Sequence, residues 1–109
     1  MLILQQAIEK HNSDTGLLLS LGYTELSAGE LNKACKLFEQ IIRLDPNHFD
    51  AWFNLGVAKT KAALLEDALI CFRRAQEQKK DHQLLTVNII TILQDLNRID
   101  EAWGELERL

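Results

Sequence analysis

The sequence predicts an all-α fold of stacked antiparallel helix pairs, about seven helices in all. Three observations predict it. Chain breakers are scarce: one proline and five glycines in 109 residues leave too little punctuation for a fold of short strands. Aligned with itself at an offset of 34, the chain brings apolar and small positions into register without a gap. Within each unit, apolar residues recur at i, i+3, i+4 and i+7, the spacing of one helix face.

The register is dense. Leu21, Leu55 and Ile89 align, followed by Gly22, Gly56 and Ile90. Leu31, Leu65 and Ile99 form a series, as do Ala34, Ala68 and Ala102. Leu4, Phe38, Phe72 and Leu106 make a fourfold series, and Ala7, Ile41, Ala75 and Leu109 another. Helices are expected at about 1–11, 14–28, 30–43, 48–61, 64–78, 82–95 and 98–109. The first carries Leu2, Ile3, Leu4, Ala7 and Ile8. Turn signals at 11–14, 45–48 and 80–82 separate the units, with Pro46 at a boundary. Ser27 to Glu30 suits a capping box, Asn97 suits a cap of the last helix, and Lys79 and Lys80 suit a helix end. Helices this short are marginal alone in water, so each pair has to bury a face on the next.

Composition narrows the function. Twelve basic against sixteen acidic residues give a net charge of −4, which argues against non-specific nucleic-acid binding. An apolar fraction of 47% with 26% charged residues fits a globular protein rather than a disordered one. Cys35 and Cys71 form no CxxC motif and are expected as small buried thiols. No basic signal-peptide start and no run of eighteen apolar residues occurs, so no membrane insertion is expected and the default setting is cytoplasmic.

The run Trp52, Leu55, Gly56, then Ala68, Phe72 and Ala75, with Pro46 closing the unit before, resembles the tetratricopeptide repeat (TPR) family. Units 15–48 and 49–82 fit best. In 83–109, a truncated repeat, Thr86 takes the Trp slot, Ile90 the Gly slot and Leu106 the Phe slot. Residues 1–14 match the second helix of a partial repeat. The resemblance implies a right-handed α-α superhelix. Gly22, Gly56, Ala34 and Ala68 would sit where helix axes come close, with Phe38 and Phe72 filling the space between stacked units.

The resemblance also implies a concave groove lined by the first helix of each pair. It points Leu19, Ser20, Tyr23, Phe53, Asn54, Val57, Thr60, Val87, Asn88, Thr91 and Asp95 toward that groove. Asn54 and Asn88 are 34 apart, with Ser20 in the same slot, and some superhelical TPR proteins place an asparagine ladder there. An amide both donates and accepts, so it can pair with any peptide backbone. The competing reading is that Asn54 is merely frequent in the repeat and the apolar residues cover neighbouring helices. The carboxylate clamp of TPR co-chaperones needs basic residues where this chain has Leu19, Tyr23, Leu84 and Asn88; only Asn54 agrees, which argues against a clamp.

Other candidates read as ordinary surface. His48 and His82 lack further ligands at metal spacing and suit turns. Arg73, Arg74, Lys79 and Lys80, like Asp100, Glu101, Glu105 and Glu107, suit solvated faces. No phosphate loop, HExxH or nucleophile elbow is present, so no catalysis, cofactor or metal is expected. The expected function is a protein-interaction scaffold that binds a peptide or partner protein in the groove. The alternative is a spacer or self-association module of a longer protein, of the kind attached to glycosyltransferases. Apolar end helices, including Ile99, Trp103, Leu106 and Leu109, suit either a segment of a longer array, which is preferred, or a homo-oligomer.

Overall fold

A computed structural model describes residues 14–109. The expected helix at 1–11, with Leu4 and Ala7, lies outside the described residues. Among the described residues the helices are α1 (Thr15–Ser27), α2 (Leu31–Leu44), α3 (Phe49–Lys61), α4 (Leu65–Gln78), α5 (Gln83–Asp95) and α6 (Ile99–Leu106). Each packs against its neighbours in the chain, and α1 also reaches α3. The result is an elongated stack, 47 × 24 × 18 Å. No strand occurs among the described residues. The expected boundaries agree to within three residues, and α6 is the shortest helix.

Helix starts alternate between two local solutions. The first helix of each pair is capped by a side chain. Asp14 Oδ1 accepts from the Leu17 amide at 3.2 Å. His48 Nδ1 accepts from Ala51 at 3.1 Å, and His82 Nδ1 from Leu85 at 3.2 Å. Each of these acceptors satisfies a backbone N–H that lacks a helical partner. The two histidines expected only as turn residues thus hold helix N-termini, in the tautomer that leaves Nδ1 unprotonated.

The second helices start differently, and two expected caps are corrected. Glu30, Leu64 and Arg98 precede α2, α4 and α6 without a side-chain cap bond. Ser27 instead ends α1. Asn97 stands in the left-handed region at φ 60°, as do Ala63 at 63° and Gly29 at 80°. The amides of Glu30, Leu64 and Arg98 donate to carbonyls five residues back, Glu25, Lys59 and Leu93, at 2.7–2.9 Å. That closure of the preceding helix turns the chain within a few residues. Leu64 and Arg98 carry no side-chain acceptor with which to cap the helix that follows.

Each of the first two pairs meets through a glycine and a phenylalanine. A Cβ built on Gly22 would lie 2.5 Å from Phe38 Cε1, and one on Gly56 would lie 2.6 Å from Phe72 Cε1. Both rings are buried. The expectation that they fill the space between units needs refining. Each ring first fills the gap inside its own pair, and the next pair then closes over it. Phe38 shares a core with Ala51, Leu55 and Ala58 of α3, and Phe72 one with Leu85, Ile89 and Ile92 of α5. Trp52 packs against both cores. In the third pair Ile90 fills the glycine slot, and Leu106 remains 45% exposed.

Three substitutions test this packing. Phe72→Ala is expected to cost about 3–5 kcal/mol. Gly56→Ala is expected to lower stability although alanine favours a helix by about 1 kcal/mol, because the Phe72 ring has to move. Ala63→Gly is expected to raise stability by about 0.5–1 kcal/mol: it relieves a left-handed penalty of about 1–2 kcal/mol and gives part back to unfolded-chain entropy. Urea titrations read all three, and an unchanged midpoint for Gly56→Ala would contradict the close contact.

Candidate functional site

The odd-numbered helices α1, α3 and α5 carry all eleven residues expected in the groove. Five of them converge. Val57 and Thr60 of α3 line one cleft of about 250 Å³ with Asn88, Thr91 and Asp95 of α5. Phe72, Ile92 and Lys61 complete its lining. The 34-residue register makes this happen: Val57 and Thr91, like Asn54 and Asn88, hold equivalent positions on parallel-running helices one repeat apart. The Thr60 and Thr91 hydroxyls donate to the carbonyls of Gly56 and Val87, at 2.8 and 3.0 Å. Their lone pairs remain available to accept from a ligand.

The remaining six are spread over neighbouring surface. Phe53 is half-buried in an aromatic group, its centroid 5.7–5.8 Å from those of Phe49, Phe72 and His82. Leu19 is half-buried against the first core. Ser20 is exposed, and so is Val87. Tyr23 is exposed and sits edge-on to Phe38, with centroids 6.4 Å apart.

Asn54 differs from Asn88. It is 8% exposed, whereas Asn88 is half-buried and lines the cleft. Asn54 Nδ2 donates to the Asp50 carbonyl at 2.7 Å and to the Tyr23 hydroxyl oxygen at 3.3 Å. Both amide protons are therefore spent inside the fold, and Oδ1 is the group left to meet a ligand. The Tyr23–Asn54 bond ties α1 to α3, so Asn54 carries structure as well as surface.

The charged residues expected as solvated faces are largely engaged. Arg73 pairs with Glu105, which is 4% exposed, and Gln76 and Arg108 also approach the same carboxylate, at 3.3 and 3.8 Å. Arg74 lies over the Trp52 ring at 5.7 Å, and Lys79 over the Phe49 ring at 4.5 Å. Arg98 bridges Glu66 and Glu101, and that pairing raises the arginine pKa and lowers that of Glu101. Among the described residues, no group of three or more His, Cys, Asp or Glu side chains is arranged to hold a metal ion. None of the described helices is long and apolar enough to cross a membrane.

Cys35 and Cys71 are free and buried in the first core. Burial raises the Cys35 thiol pKa and pushes that of Cys71 up to about 11, with Lys59 opposing the shift in both.

A stack of helix pairs with a 34-residue period, a glycine–aromatic contact inside the pair and a cleft on the first helices defines a TPR array. The chain belongs to the tetratricopeptide repeat family, whose model matches residues 25–87. Superkiller protein 3 of Schizosaccharomyces pombe is 30% identical over 90 residues, covering 83% of this chain and 6% of the relative. The Saccharomyces cerevisiae protein named "Essential for maintenance of the cell wall protein 1" is 37% identical over 54 residues, 50% of this chain and 6% of its own length. The fold is shared with the crystal structure of MamA, at a TM-score of 0.89 and 19% identity over 95% of this chain and 61% of that one. It is also shared with YrrB, described as a TPR protein with an unusual peptide-binding site, at 0.86 and 21% over 96% and 54%. The chain thus spans a small part of its curated relatives and under two thirds of these structures. TPR proteins are scaffolds that bind protein or peptide partners.

The buried thiols make a measurable expectation. A thiol whose folded pKa lies above its unfolded value of about 8.5 favours the folded state while it stays protonated. That contribution is complete below about pH 8.5 and is lost as pH rises toward the Cys71 value of about 11. Melting temperature is therefore expected to fall across this range, less steeply in Cys71→Ala than in the parent. Equal slopes would contradict the assignment.

Proposed function

We propose that the surface shared by α3 and α5 binds an extended peptide or a helical segment of a protein partner. The observation that carries this reading is the convergence of Val57, Thr60, Asn88, Thr91 and Asp95 on one cleft. Phe72 and Ile92 give it an apolar side, and hydroxyl, amide, ammonium and carboxylate groups surround that side. Such a mixture suits a ligand with an apolar side chain and a backbone to hydrogen-bond. Asn88 offers both a donor and an acceptor, Asn54 only an acceptor. The peptide-binding site named for YrrB supports the same use of the fold. Tyr23, Leu19, Ser20, Phe53 and Val87 extend the surface along the stack. The proposed role is a non-catalytic scaffold without a cofactor, in a cytoplasmic setting where free thiols persist.

A second reading is a spacer or self-association element of a longer protein, and the face of α5 and α6 favours it. Leu69 and Phe72 of the second pair are buried, whereas their register equivalents Trp103 and Leu106 are 59% and 45% exposed. That face could stack on further helices of the same or another chain.

A displayed-peptide selection against the chain supplies ligands for the test. Asn88→Ala is expected to weaken the selected peptides about fivefold, the loss of one or two exposed hydrogen bonds, with an unchanged melting temperature. Asn54→Ala is expected to cost about 1 kcal/mol of stability as well, because its amide links α1 to α3. Full retention of affinity in Asn88→Ala and in Val57→Asp together would move binding off this cleft.

A further inference from the structure

The cleft between α3 and α5 carries one charge of each sign. Lys61 is the last residue of α3 and Asp95 the last of α5. They are 34 residues apart, so they hold equivalent register positions on neighbouring helices. Both are exposed and both line the cleft. Among the described residues the ion pairs join Arg73, Arg74, Arg98 and Arg108 to glutamates, and none includes Lys61 or Asp95. Asp95 also stands where a helix disfavours it. A helix C-terminus carries partial negative charge, so a cation there is favourable and a carboxylate is not. Helix α3 follows that rule with Lys59 and Lys61, whereas α5 has no basic residue in its last turn. Arg98, three residues on, is held by Glu66 and Glu101. The α5 end of the cleft therefore suits a cation brought from outside. Val57, Phe72 and Ile92 give the same cleft an apolar lining, and its volume of about 250 Å³ suits one aliphatic side chain rather than a whole small molecule.

We propose, resting on the peptide-binding reading above, that this cleft selects an extended segment of a partner protein in which an acidic and a basic residue flank an aliphatic one. The aliphatic side chain enters against Phe72 and Ile92. The basic side chain pairs with Asp95 and the acidic one with Lys61. In an extended chain, side chains two residues apart point the same way, about 7 Å from each other. The motif is thus acidic–x–aliphatic–x–basic or its reverse. The two directions differ in the backbone groups they bring to Asn88, whose amide both donates and accepts, so one of them is preferred.

The test is a displayed-peptide selection run on the chain and on the double variant Lys61→Asp, Asp95→Lys, which exchanges the two charges. Peptides selected by the parent are expected to carry opposite charges two residues either side of an aliphatic residue. The exchanged variant is expected to enrich the same motif with the charges in the opposite order. The single change Asp95→Asn is expected to weaken the parent's peptides about threefold, as the loss of one exposed ion pair does. Glutamine in place of the peptide's basic residue is expected to weaken binding to the parent equally and to leave binding to Asp95→Asn unchanged. A ¹⁵N-labelled chain reports where the peptides sit. Peptides that shift the Asn88 and Thr91 amides without a charge preference, or with one order in both selections, would overturn this inference and leave the peptide-binding cleft standing. Peptides that leave those amides unshifted would overturn both.

Discussion

The close approach of the two helices within a pair governs the rest of the structure. Gly22 and Gly56 have no Cβ because the edges of Phe38 and Phe72 occupy that space. With the ring seated on the glycine, the two helices of the pair pack closely there. The outer surface of the pair then presents Ala34 and Ile41, or Ala68 and Ala75, to the following helix. A bulkier residue at the glycine would tilt the pair and spoil the stacking surface. The third pair meets differently: Ile90 takes the glycine slot, Leu106 takes that of the phenylalanine, and both line a small cleft between α5 and α6.

Repetition turns this local contact into a surface. Three capping acceptors, Asp14, His48 and His82, start the first helices at one phase. Three left-handed residues, Gly29, Ala63 and Asn97, reverse the chain at one phase. Helices α3 and α5 therefore run side by side in register, and residues 34 apart face the same way. Recognition can vary in such a scaffold without touching its core, since the cleft draws mostly on residues outside the glycine–phenylalanine contact. Tyr23 and Asn54 are an exception, because they join neighbouring repeats while standing at the edge of the binding surface.

Polar residues carry more of the structure than their surface positions suggest. The carboxylate of Glu105 is removed from water, which is tolerable because Arg73 and Gln76 meet it from α4. That network ties α6 to the stack, where the core is thinnest. The third repeat thus combines an exposed apolar face, at Trp103 and Leu106, with a buried polar contact at Glu105.

Much of the fold was legible in the residues themselves. The 34-residue register determined the helix order, the helix phases and the pairing, because apolar periodicity and small-residue positions are local properties of the chain. It also placed Val57, Thr60, Asn88, Thr91 and Asp95 on one side of the stack, since equivalent positions of a repeat face alike. Only the tertiary structure decided which of these groups remain free. That Asn54 spends its amide on the Asp50 carbonyl of its own helix and on Tyr23 of α1, and that Glu105 is buried against Arg73, depends on how side chains about 30 residues apart meet across helices. The helix starts divide in the same way. Proline and asparagine marked the turns, but whether a residue caps the next helix or closes the last one depends on its backbone angles, which the packing of the pair imposes.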